Sequence, residues 1–136
     1  MRRQVFLALC AQLCIAAIQS AAVAGTPTRA EQAADQVYRA LPELPREAPP
    51  DQPNNTLVRR MILYHLRVRG RPETSRLDWQ LTLSDYLGYN LTIDPATYPE
   101  NGTAFAALDR DRAALDGLSR QGRWRLVRLL IDALRR

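Results

Sequence analysis

Apolar residues recur along most of this chain at helical rather than alternating intervals. Ala30, Ala33, Ala34, Val37, Tyr38 and Leu41 fall at i, i+3, i+4, i+7, i+8 and i+11, which is one stripe on a helix. Thr28 and Glu31 stand in capping-box spacing at its start, so that the threonine oxygen and the glutamate can satisfy opposite backbone N–H groups. The helix is predicted to end near Leu41, because Pro42, Pro45, Pro49, Pro50 and Pro53 follow and cannot continue it. Residues 42–53 are expected as an extended, polyproline-like linker or surface-hugging arm.

A second stripe, Leu57, Val58, Met61, Ile62, His65 and Val68, predicts a helix over 57–69, capped by Asn54 or Asn55 and closed before Gly70. At about 100° per residue Arg59, Arg60 and Arg67 lie opposite that stripe with Leu63 among them. His65 therefore points to the core side, and a packed, hydrogen-bonded role is expected for it rather than a catalytic one.

Residues 76–81 alternate polar and apolar and read as a short extended segment. Thr82 to Asp85 then offer a cap for a short helix ending at Gly88, with Leu83, Tyr86 and Leu87 packing from it. Residues 89–102 carry Pro95, Pro99 and an Asn101-Gly102 turn signal, and are expected as a long irregular loop, either functional or mobile or docked on the domain through Tyr89 and Tyr98. Two helices close the chain: 104–116, broken near Asp109, and 120–134 after a Ser119 cap. In the last, Leu126, Val127, Leu130, Ile131 and Leu134 make the buried face, while Arg120, Arg128 and Arg135 gather on the other. Trp124 sits at the seam, one turn from both Arg120 and Arg128. The fold class expected is mostly α, a small bundle of four to five helices with a proline-rich arm and one long irregular loop.

The first residues change the picture, because they read as an export address. Arg2 and Arg3 form a short positive region, 5–18 is apolar apart from Gln12, and Ala22-Val23-Ala24 is the small-x-small pattern of a signal-peptidase site. Cleavage before Gly25 is expected. Leu9 and Leu13 precede Cys10 and Cys14, so the small residue of a lipoprotein site is missing. The organisation predicted is a signal peptide over 1–24, an N-terminal helix and proline-rich arm over 25–56, and a helical core domain over 57–136.

Cleavage would remove both cysteines, leaving no disulfide, thiol nucleophile or thiolate ligand. All 19 basic residues are arginine, as in a bacterial genome rich in GC, and the missing lysine rules out a P-loop phosphate contact, a Schiff base and a carrier attachment site. The net charge of +5 falls to +3 once Arg2 and Arg3 are gone, and it is unevenly spread. Residues 57–76 and 119–136 are strongly basic, whereas 77–118 are acidic, so the basic ends are expected to fold against the acidic middle. Such internal cancellation, in an exported chain, argues against nucleic acid as a partner.

Candidate chemistry is thin. Asp109 and Asp111 resemble the start of a calcium loop, but Ala113 and Ala114 stand where an oxygen ligand and a glycine belong; Asp109 is read instead as a helix cap. No serine lies in a nucleophile elbow, and no spacing selects two of the acids in 77–118 as a glycosidase pair. No catalytic residue, cofactor or metal ligand is therefore assigned. The function expected is an exported, non-catalytic binding, accessory or assembly subunit beside an envelope or photosynthetic-type membrane complex, in the periplasm or an equivalent lumen, with a protein partner. The alternatives are a membrane-surface protein binding anionic lipid and a small carboxylate-dependent hydrolase. The interaction residues expected are Trp124, Arg120, Arg128, Arg135 and Leu63.

Overall fold

The structure, a computed structural model, describes residues 27–100 and 106–136. The expected signal peptide, its cleavage site before Gly25 and the Asn101-Gly102 turn lie outside them. Among the described residues there are five α-helices and no strand: α1 (Arg29–Ala40), α2 (Leu57–Leu63), α3 (Arg76–Tyr86), α4 (Ala107–Asp116) and α5 (Arg120–Leu134). A π-helical segment, Tyr64–Val68, prolongs α2. None of the described helices is long and apolar enough to cross a membrane.

Helix α1 begins as its capping box dictates. Thr28 Oγ1 accepts from the Glu31 N–H at 3.3 Å, and the Thr28 N–H donates to Glu31 Oε2 at 2.7 Å. Ala33, Ala34, Val37 and Tyr38 form its buried face, which packs on α5 and α2. The proline arm then lies along the surface with Leu44 and Pro49 turned inward. Tyr38 ties α1, arm and α2 together: its hydroxyl accepts from the Val58 N–H at 3.2 Å and donates to the Pro45 carbonyl at 3.4 Å. Burial pushes that phenol up to about 12.

Helix α2 departs from the amphipathic reading. Its cap is Thr56, whose Oγ1 accepts from the Arg59 N–H at 3.4 Å, while Asn55 turns its oxygens toward the Arg60 guanidinium. The helix is covered on nearly all sides, so Leu63 (8% exposed) and Arg60 (0%) are buried where the arginine face was expected. Beyond Leu63 the Arg69 N–H reaches back to the Tyr64 carbonyl at 2.9 Å. That i→i+5 bond widens the turn and shifts the register, and Val68, expected in the core, is 37% exposed.

The alternation over 76–81 also gives way to helix. Ser75 Oγ caps α3 at the Asp78 N–H, 3.3 Å away, and Trp79, Thr82, Leu83 and Tyr86 make the buried stripe. Gly88, at φ +79°, closes it in the left-handed region that suits glycine. In the loop that follows, Ile93 and Tyr98 are buried, whereas Tyr89 is 83% exposed. Helix α4 starts after Ala106, at φ 48°, and runs unbroken; Asp109 sits in its first turn rather than capping it. Helix α5 has the predicted bounds, with Ser119 Oγ accepting from the Gly122 N–H at 3.0 Å. One core cluster runs from Ala33 to Leu134.

Candidate functional site

Two kinds of polar constellation stand out, one sealed in the core and one open on the surface. The sealed one begins at Arg60, on α2. Its Nε and Nη2 donate to Asp111 Oδ2 and Oδ1 at 2.7 and 2.6 Å, a bidentate pair with both side chains fully buried. The remaining N–H groups reach the Asn55 and Glu47 carbonyl oxygens and Asn55 Oδ1. Burial alone would lower the Arg60 guanidinium, but the Asp111 carboxylate outweighs it and raises it. Burial raises the Asp111 carboxyl, and Arg60 and Tyr98 offset only part of that. Tyr98 donates to Asp111 Oδ2 at 2.5 Å, so the Tyr86 hydroxyl, 2.9 Å away, is left to donate to Tyr98. Burial holds both phenols well above their ordinary range.

A second buried carboxylate, Asp85 on α3, accepts from Arg71 at 2.7 Å, Tyr64 at 3.0 Å, Asn90 at 2.8 Å and the Leu91 N–H at 3.0 Å. Arg71 also donates to Thr82 Oγ1 at 2.7 Å. Thr82 lies 2.8 Å from His65 Nδ1, and His65 Nε2 lies 2.9 Å from the Pro72 carbonyl. A carbonyl can only accept, so Nε2 carries the proton in the neutral ring. Nδ1 is then the acceptor, and the Thr82 hydroxyl donates to it. The imidazole stacks on Trp79 with ring centres 3.6 Å apart and planes 2° off parallel. Burial lowers its pKa from 6.5, with the Pro72 carbonyl opposing. The packed, hydrogen-bonded role expected for His65 is what the fold gives it.

These pairs also carry the predicted folding of basic ends on an acidic middle, since Arg59, Arg60 and Arg71 meet Glu100, Asp111 and Asp85. The C-terminal helix contributes less. Arg123 pairs with Asp116 and donates to the Leu115 and Asp116 carbonyls that end α4, and Arg125 reaches Glu43 and the Ala40 carbonyl.

The open constellation lies where α3 crosses α5. Trp124 is 48% exposed and forms a ridge between two hollows that share its indole and Val127. One, of about 270 Å³, has Arg76, Arg125 and Arg128 in its wall. The other, of about 420 Å³, has Leu83 and Leu87 from α3 beside Arg120 and Arg123. Among the described residues, no carboxylate lines either hollow. The Arg76 guanidinium lies over the indole, 4.6 Å from its centre, a cation–π distance.

Of the residues singled out in the sequence, Trp124 borders both hollows, Arg120 the larger and Arg128 the smaller, and the cation on the ring belongs to α3 rather than to either neighbour on α5. Arg76, Leu83 and Leu87 were missed, because their membership depends on how α3 crosses α5. Arg135 caps the C-terminus of α5, exposed, and lines neither hollow. Leu63 is a correction: it is buried, and borders a separate hollow with Leu66, Arg59 and Arg67. Comparison with protein families, curated proteins and solved structures finds no match.

Proposed function

We propose that this chain is an exported, non-catalytic binding or assembly subunit that docks on a protein partner of an envelope or photosynthetic-type membrane complex through the Trp124 face. One observation carries the reading: a half-exposed indole stands between two hollows walled by arginine and by no carboxylate. Tryptophan and arginine are the residue types most enriched where interface energy concentrates. Export rests on the charged, apolar and small-residue pattern of 1–24. The non-catalytic part is supported by the fate of the titratable groups, since His65, Asp85 and Asp111 are buried and each is committed to named partners.

The test is carried out in the native envelope. A photo-reactive residue in place of Gln121, exposed at the edge of the smaller hollow, is expected to yield a discrete protein adduct that disappears in the Trp124→Ala background. Adducts with lipid alone would favour the membrane-surface alternative and overturn docking on a protein.

A further inference from the structure

We propose that the occupant of the Trp124 site is an acidic peptide segment with an apolar anchor. One apolar side chain would be seated against Leu83, Leu87, Val127 and the indole, with carboxylates on either side reaching Arg120 and Arg128. This rests on the docking reading above and adds the chemistry of the partner.

Charge decides the sign of the ligand. Arg76, Arg120, Arg123, Arg125 and Arg128 line the two hollows without an acid among them. Arg123 and Arg125 are drawn toward Asp116 and Glu43, whereas Arg120 and Arg128 have no carboxylate within ion-pair distance among the described residues. The site therefore presents two guanidiniums that an incoming anion meets without breaking an existing pair. Guanidinium forks match carboxylates in bidentate geometry.

Shape selects among anions. The larger hollow has Leu83, Leu87 and Val127 in its wall beside the indole, apolar surface that a purely charged polyanion leaves unfilled. A second copy pairing through the same face would set arginine against arginine, so self-association here is opposed. Spacing defines the segment further. Arg120 and Arg128 are eight positions apart on α5, roughly 12 Å along its axis. Two carboxylates span that distance at i and i+7 or i+8 on a helix, or about four residues apart in an extended chain. The apolar anchor falls between them in either case.

The two indole N–H resonances of the folded protein provide the assay. Trp79 donates to the Glu73 carbonyl at 2.7 Å inside the core and serves as an internal control, while Trp124 reports on the site. The probes are a short synthetic peptide with glutamates flanking a central leucine, the same peptide with serine for leucine, polyglutamate, and phosphatidylglycerol vesicles. The leucine peptide is expected to shift the Trp124 signal saturably and leave Trp79 in place. It should bind roughly ten-fold more tightly than the serine peptide, as partial burial of one leucine implies. Arg120→Glu with Arg128→Glu should abolish the shift while the Trp79 signal and the melting temperature persist. Equal binding of the leucine and serine peptides, equal binding of polyglutamate, preference for vesicles, or no Trp124 shift with any probe would each overturn the inference. If photo-crosslinking at position 121 instead captures a basic or neutral protein segment, docking stands and only the acidic chemistry falls.

Discussion

A histidine whose two ring nitrogens are both engaged in a sealed core is a liability in acid. His65 is held neutral, with Nε2 donating to Pro72 and Nδ1 accepting from Thr82, and its folded pKa lies below the ordinary 6.5. The unfolded chain then binds the extra proton first as pH falls. Stability from this group is complete above about 6.5 and is lost on acidification through the lowered folded value. A melting-temperature profile should fall through that window, and His65→Gln should flatten the fall relative to the parent. His65→Ala should cost about 1–3 kcal/mol through lost stacking and unpaired partners, measured by chemical denaturation. An unchanged stability would remove His65 from the core account. Arg60 makes the complementary case. Arg60→Met leaves Asp111 as an uncompensated buried charge and should cost about 3–5 kcal/mol, whereas adding Asp111→Asn should restore much of the loss. Equal loss in both variants would mean that the charge pairing is not the source. His65 was legible in the sequence because its apolar neighbours recur at helical spacing. Arg60 was not, since its partner lies 51 residues away and no local pattern announces a buried guanidinium.

Helix ends were the clearest elements to read, because caps are local. Thr28 with Glu31 and Ser119 before α5 mark their helices within a few residues of sequence, and both form the bonds their side chains offer. Ser119→Ala should cost about 1 kcal/mol in equilibrium unfolding and fray the start of α5 in amide exchange; unchanged protection at Gly122 would contradict the cap. Helix α3 was misread for a physical reason. The apolar residues that suggested alternation include Leu77, which is 64% exposed, while the stripe that packs is Trp79, Thr82, Leu83 and Tyr86. The π-segment was illegible as well. Its one-residue shift explains why counting at a fixed angle put Val68 in the core.

For the molecule as a whole, the bundle, the arm and the loop were visible in the spacing of apolar residues and prolines, and so was the exposure of Trp124, Arg120 and Arg128 on α5. What no single helix contains is the crossing of α3 over α5, which brings Arg76 onto the indole and Leu83 and Leu87 into the neighbouring hollow. Leu63 failed as a surface residue for the same reason, since the packing of other elements over α2 decides its exposure. The Trp124 face lies on a helix whose opposite side, Leu126, Leu130 and Leu134, is fixed in the core. Recognition and stability should therefore separate there. The most direct measurement is the paired substitution Trp124→Ala with Arg128→Glu, followed in two readouts: association with the native membrane complex and thermal unfolding of the isolated protein. Loss of association is expected, with helical circular dichroism and melting nearly unchanged. Unfolding of the double variant, or undiminished association by a folded one, would contradict it.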